Sequence, residues 1–485
     1  MNETRRMKNF IGGRWTEPAD VEFLDVENPA TGDTLARVPL SAGGDVGEAV
    51  AAAAAAYPAW RATPPLVRAR YFFTLKNLLE DAFEHLSKIL VSEHGKTLSE
   101  ARGSVRRAIE MIEVATGIPS LMQGSVLEDV ASGIDCEAVR QPLGVFACIA
   151  PFNFPAMVPL WFLPFAVATG NTFLVKPSEQ TPLCTEFIFE MLEAAGLPPG
   201  VVNLVHGGKD AANGILDHPD IKGVSFVGSS AVARTVYRRA GETGKRVQAL
   251  GGAKNFILVM PDANLERTVA AVTESYCGCA GERCLAGSVV VPVGDIHRPL
   301  VEAIREKAAA LKVGNGMDPS VAMGPVISAA HRERVLGFVE SGIREGAELV
   351  LDGRECAVPD CPRGHWVGPT LFDRVTPAMT IAREEIFGPV LSVIPAASLD
   401  EAIALVRSSD YGNATSIFTR DGGAARKFRY EAEVSMMGVN IGIAAPMAFF
   451  SFGGTKGSFF GDLKAHGREG VAFYTDKKVV ISRWF

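Results

Sequence analysis

Val145-Phe146-Ala147-Cys148-Ile149-Ala150 is an unbroken apolar run after Gly144, and it ends in Pro151-Phe152-Asn153-Phe154-Pro155. A continuous apolar run of this length, closed by turn residues, reads as a strand buried on both faces. Similar runs follow at 172–176, 201–206, 223–227 and 246–250, separated by helical stretches at 158–169, 184–195, 211–217 and 229–240. Strands alternating with helices specify a parallel, doubly wound α/β sheet. Such sheets bind ligands beyond the carboxyl ends of their strands. Asn153 and Pro155 follow the first strand, Lys176-Pro177-Ser178-Glu179 the second, and Gly228-Ser229 the fourth.

Working outward, 45–57 is an alanine-rich helix between Gly43-Gly44 and Pro58. Leu75, Leu78, Leu79, Phe83, Leu86 and Leu90 recur at helical spacing, which predicts one long amphipathic helix stopping near Gly95. A third helix, 98–115, buries Val105, Ala108, Ile109 and Ile112, with Arg106 and Arg107 off the apolar stripe. On periodicity alone those arginines are solvated side chains. A second α/β region begins near Asn255, with helices expected at 265–276, 298–311 and 332–345, and a buried strand at 285–291. Ser398-Leu399-Asp400-Glu401 is a capping box opening another helix. The tail 467–485 reads as strand, apolar for a terminus, and an exposed edge of that kind invites pairing with another subunit.

The chain has 485 residues, 47% hydrophobic and 21% charged, with a formal net charge of −7. That balance, without a basic run, excludes a nucleic-acid-binding surface. Eight cysteines are too few for a disulfide scaffold and fit a reducing compartment. The first residues lack the apolar stretch of a signal peptide. The longest apolar run, 157–168, is broken by Pro159 and Pro164 and falls short of the ~20 residues that span a bilayer. No membrane partner is expected, and a cytoplasmic location is.

Chemistry concentrates at Gly281-Glu282-Arg283-Cys284. A thiolate is the reactive form of cysteine, and a neighbouring cation lowers its pKa; the alternative is an inert buried thiol. The pair Gly223 and Gly228, closing a strand and opening a helix at Ser229-Ser230, suits a pyrophosphate facing backbone N–H groups. Glu179 can accept bonds from both ribose hydroxyls and would repel a 2′-phosphate, which favours NAD over NADP. An ordinary loop ion pair between Lys176 and Glu179 is the alternative. A metal site at Cys277-Gly278-Cys279 with Cys284 lacks a second ligand pair and is not expected.

PFNFP, KPSE, FVGS, LGG followed by the cysteine of GERC, and EEIFGPV stand in the order and spacing of the aldehyde dehydrogenase superfamily, which the chain resembles over nearly its whole length. The resemblance implies an NAD-binding domain from 1–117 and 141–250, a catalytic α/β domain from 251–445, and a small β oligomerisation element from 118–140 and 466–485, assembled as a homotetramer. It makes Cys284 the nucleophile and Asn153 the oxyanion donor. Ala150, Phe152, Lys176, Glu179, Gly228, Ser229, Glu385 and Phe387 become the NAD contacts. Ala249 stands before Leu250-Gly251-Gly252, where hydrolytic members carry a glutamate. A methyl group cannot accept a proton, so water attack on a thioester should be slow, whereas a second thiol remains a competent acceptor. In that loss, and in Ile149 to Pro155, Ala445 to Phe450 and Ser458 to Gly461, the chain is similar to the CoA-acylating methylmalonate-semialdehyde dehydrogenases. Coenzyme A is then the co-substrate, and Arg283 and Arg107 are candidates to hold the carboxylate of a semialdehyde acid. Alternatives are a hydrolytic aldehyde dehydrogenase with Glu282 as base, and a catalytically silent NAD-binding homologue.

Overall fold

A computed structural model describes residues 4–18 and 21–485. The strands Val145–Ile149, Thr172–Lys176, Val202–Leu204, Ile221–Val227 and Arg246–Leu250 are joined by the helices Met157–Ala168, Leu183–Ala194, Lys209–Asp217 and Ser230–Glu242. In space the strand order is 246–250, 221–227, 145–149, 172–176, 202–204, all parallel. Every residue of Val145–Ile149 and Thr172–Lys176 is buried, as strands covered on both faces must be. The chain steps one way from Val145–Ile149, then returns to its other side, which opens a crevice at the carboxyl ends of 145–149 and 221–227. Asn9–Ile11 and Arg14–Thr16 extend one edge of this sheet and Phe459–Phe460 the other, all antiparallel. A two-residue strand is too short to carry a pattern, so 459–460 was invisible to periodicity.

Two sequence expectations change in the helical layer and one in the sheet. The predicted helix ending near Gly95 is two helices, Pro65–Asp81 and Phe83–His94, separated at Ala82 with φ −93° and ψ 9°. Both pack on Leu98–Thr116, but the first also packs on Met157–Ala168. Leu79, Leu86 and Leu90 are all buried, so the apolar spacing continues through the break. The tail is not all strand: Gly467–Phe473 is a helix, with Gly470, Val471 and Phe473 buried, and only Thr475–Arg483 is extended. Short apolar runs do not distinguish the two forms. Gly223 lies inside a strand rather than at an anion turn. A Cβ there would stand 2.4 Å from the Phe146 ring, so this glycine serves packing.

The second region is a seven-stranded sheet in the order 348–351, 370–373, 390–393, 287–292, 255–259, 414–418, 436–439, parallel except for the first pair. Ser398 caps Leu399–Ser408 by accepting from the Glu401 N–H at 3.2 Å. A three-stranded antiparallel sheet joins Thr475–Arg483, Ile134–Pro142 and Ser125–Ala131, so its middle strand runs past residue 140. Val126, Leu127, Val479 and Ile481 on this sheet are exposed. Among the described residues no helix is long and apolar enough to cross a membrane.

Candidate active site

A cavity of about 430 Å³ lies where the two α/β units meet, and both Cys284 and Arg107 line it. The cysteine reaches it from a loop whose backbone few side chains tolerate. Cys279, Ala280 and Gly281 have φ of 50°, 51° and 77°, and left-handed conformations at non-glycine residues cost about 1–3 kcal/mol each. Gly281 is required by contact as well: a Cβ there would lie 2.2 Å from the Gly388 carbonyl carbon. The loop is held by neutral amides, for the Cys284 carbonyl accepts from Asn255 Nδ2 at 2.9 Å and Asn413 Nδ2 at 2.8 Å.

Burial pushes the Cys284 thiol up to about 12, with Glu385 adding to the rise; the N–H groups of Cys284 and Leu285 and the charge of Arg283 oppose it. Arg283 thus acts in the expected direction, but desolvation outweighs it. Its guanidinium is engaged elsewhere, 3.0 Å from Glu100. Glu100 also accepts from the Cys279 N–H at 2.7 Å and, through its other oxygen, from the Thr97 N–H at 2.9 Å. One carboxylate therefore closes the capping box of Leu98–Thr116 and pins the cysteine loop to that helix.

Asn153 enters from the opposite side, on the turn after Val145–Ile149, and is 5% exposed. Its Nδ2 donates to the Glu282 carbonyl at 2.9 Å, which ties it to the cysteine loop across the junction of the two units. Lys96, 1% exposed, donates to the Asn153 carbonyl at 2.7 Å and lies 4.2 Å from the centre of the Phe154 ring. Thr181 and Thr185 hold the same turn through the carbonyls of Phe152 and Pro155. Lys96 and Glu100 went unnoticed in the sequence. Thr97 and Glu100 form a legible capping box, but nothing local announces that its carboxylate reaches residues 279 and 283.

Glu282 is fully buried and faces away from the cavity. Its carboxyl accepts from the Ile327 N–H at 3.1 Å and lies 3.7 Å from His94 and 3.5 Å from His331. Burial raises that carboxyl well above the usual range and lowers both imidazoles below theirs, so it favours the uncharged form of each. Arg107 borders the cavity, paired with Glu110 at 2.9 Å and in contact with Met447. Arg106 points away, to Glu80 at 2.6 Å.

The remaining predicted residues border the crevice of the first sheet. Ala150 donates its N–H to the Lys176 carbonyl, joining two strand ends. Lys176 Nζ is buried among the carbonyls of Pro177 and Gly207 and lies 3.3 Å from Glu179, whose side chain is 37% exposed. The ion pair of the plainer reading is thus present, with Glu179 still reachable from outside. Ser229 is the N-cap of Ser230–Glu242, makes no side-chain cap bond, and no acidic residue follows in the first turn. That leaves the helix N-terminus open to an anion. Glu385 accepts from the Ala253 N–H at 2.9 Å and crowds Gly252, where a Cβ would lie 2.3 Å from its Oε2. Burial pushes Glu385 up to about 7, against the Ala253 N–H, Lys254 and Arg334. Phe387, with φ 62°, packs edge-on against Phe152 at 5.8 Å. The donor set, an open helix N-terminus beside a glycine turn and two carboxylates at the crevice, fits a dinucleotide.

Two packed α/β units with a cysteine loop facing an asparagine amide define the aldehyde dehydrogenase architecture. The Aldehyde dehydrogenase family profile matches residues 15–480, and the chain belongs to that family. It is 51% identical over 482 residues to malonate-semialdehyde dehydrogenase 1 of Geobacillus kaustophilus (strain HTA426), covering 99% of this chain and 98% of the relative. Among solved structures, methylmalonate-semialdehyde dehydrogenase from Oceanimonas doudoroffii is 45% identical with a TM-score of 0.98, covering 99% of both chains. A Sinorhizobium meliloti 1021 structure complexed with NAD, described as a methylmalonate-semialdehyde dehydrogenase, is 43% identical with a TM-score of 0.98, over 100% of this chain and 99% of that one.

Proposed function

We propose that this chain oxidises malonate semialdehyde and methylmalonate semialdehyde with NAD and transfers the acyl group to coenzyme A, with loss of CO₂. The names of its relatives support the substrate class and, with the NAD-bound neighbour, the cofactor. Gly228, Ser229, Lys176, Glu179, Glu385 and Phe387, with Ala150 and Phe152, would hold NAD, which supplies the hydride acceptor when bound.

The protein's own groups account for the rest. Cys284, once deprotonated, adds to the aldehyde carbon, and the oxyanion is met by the free N–H of the Asn153 amide and the N–H of Cys284. Such a donor lowers the barrier by ~3 kcal/mol. Oxidation leaves an acyl-cysteine thioester. In a malonyl-type thioester the C–C bond to the carboxylate breaks, its electron pair becomes the thioester enolate, and the same donors stabilise that oxyanion. Protonation at carbon then gives an acetyl or propionyl thioester, which the thiolate of coenzyme A attacks to release Cys284.

The observation that carries the acylating reading is Ala249. Its methyl group is buried in the layer of Phe226 and Val224, on the face away from Cys284, and the neighbour on the Cys284 side is the apolar Leu250, so neither position of this strand end offers a base. Glu282, the base of the hydrolytic alternative, has its carboxyl buried away from the cavity. The silent-homologue alternative expects a damaged nucleophile or donor, yet the chain carries both Cys284 and Asn153. The exposed apolar face of the three-stranded sheet supports a homo-oligomer, a tetramer by family resemblance. A cytoplasmic location follows from the sparse cysteines and remains part of this reading. Pre-steady-state NADH formation with product mass analysis tests the assignment. One burst without coenzyme A, and steady turnover to acetyl-CoA or propionyl-CoA with it, is expected; fast release of free acid without it overturns the reading.

A further inference from the structure

The wall of the cavity carries two polar side chains that this mechanism leaves unused. Trp161, on Met157–Ala168, and His466, just before Gly467–Phe473, line the same cavity as Cys284. They are 4% and 2% exposed. The indole Nε1 of Trp161 and both ring nitrogens of His466 lack any hydrogen-bond partner. The two rings meet edge to face with centroids 4.9 Å apart, and Phe452 packs on both. Buried donors without acceptors are uncommon and costly, so a pair of them in a cavity wall marks the position of an oxygen atom.

The backbone points the same way. His466 has φ 70° and ψ 174°, a region that glycine enters freely and other residues seldom do. Strain of this kind persists where the side chain it presents is used. Both arginines of the cavity already have carboxylate partners, Arg283 with Glu100 and Arg107 with Glu110, and Glu274 also lines it.

We propose that the Trp161 indole N–H and the imidazole N–H of His466 receive the carboxylate end of the bound semialdehyde acid, as neutral donors beside the two arginines. This deepens the substrate reading above and rests on it. An ionised carboxylate offers about four lone-pair sites, so it accepts these donors together with guanidinium N–H groups. Burial brings His466 down to about 3, so the ring stays neutral and keeps one N–H throughout the assay range.

The test compares kcat/KM for malonate semialdehyde and for propanal, both with coenzyme A, in the wild type, His466→Phe, Trp161→Phe and His466→Gly. The ratio of the two values should fall about 10- to 100-fold in each variant, mostly through KM for the acid. His466→Gly relieves the backbone strain but deletes a buried ring, so its fold is checked by circular dichroism at the assay temperature, and loss of selectivity in a folded protein separates recognition from folding. An unchanged ratio in both phenylalanine variants, or equal losses on the two substrates, overturns this proposal alone. A wild-type enzyme with no preference for the acid overturns the substrate reading and this proposal with it.

Discussion

The two loops that face each other across the cavity are held in different ways. The turn after Val145–Ile149, which carries Asn153, sits at a strand end and is gripped by the fully buried Lys96 and by Thr181 and Thr185. Glu93 supports it from behind, accepting from the Leu183 and Cys184 N–H groups at 2.7 and 3.0 Å and so fixing the helix that bears Thr185. The loop with Cys284 instead includes a run of left-handed residues, held by asparagine amides, by Glu100 through the Cys279 N–H and Arg283, and by a close approach of Gly281 to Gly388. The stabilising donor thus stands on rigid ground, while the reactive group is placed by strain. Catalysis by a fixed donor demands the former, since its value comes from not having to reorganise.

Changes to each side sharpen that contrast. Cys284→Ala should have the largest effect, lowering acyl transfer by about 10⁴-fold or more while NAD still binds; NADH formation at near wild-type rate would remove the residue from its role. Asn153→Ala should cost about 10²- to 10³-fold in kcat with little change in KM, checked with a saturating aldehyde. Lys96→Met leaves Asn153 in place but loosens its turn. A fall in kcat of about 10-fold or somewhat more is expected from misplacement alone, and an unchanged kcat would show that the turn needs no buried charge.

The protonation states give two smaller tests. Because burial pushes the Cys284 thiol up to about 12, its thiolate fraction in the free enzyme should still be rising at pH 9. Alkylation by iodoacetamide should therefore climb with pH across 7–9; a plateau below pH 8 would mean that Arg283 outweighs burial. Glu282 binds its proton more tightly in the folded state than in the unfolded chain, since its pKa is raised. Stability from this group is therefore full at low pH and is lost as pH rises above the unfolded value of about 4.3 toward the folded one. Glu282→Gln keeps the neutral form, so activity should change least of all, and the urea midpoint at pH 8 should equal or exceed that of the wild type. A lower midpoint would mean that the carboxylate is used ionised.

Much of this was readable in one dimension. The five central strands and their helices follow from buried runs and apolar spacing because each buries a continuous face, and a local pattern reports burial directly. Cys284, Asn153 and Glu385 stand in motifs whose order could be read. What escaped was of another kind. Ala82 breaks a helix without altering its apolar spacing, Gly467–Phe473 is too short for its period to be recognised, and Gly223 looks like a phosphate-loop glycine yet accommodates the Phe146 ring.

By itself, then, the sequence determined the α/β class, the crevice at which the motifs gather, and the loops that carry Cys284 and Asn153. Only the tertiary structure decided that Glu100 claims Arg283, that Lys96 steadies Asn153, that Glu282 turns inward to the Ile327 N–H, and that Trp161 and His466 share one wall. The physical reason is range. Strand and helix patterns arise from neighbours within a few residues, whereas a carboxylate on one helix meets a guanidinium 183 positions along the chain only after both units have packed. The same packing sets the desolvation that raises or lowers each pKa.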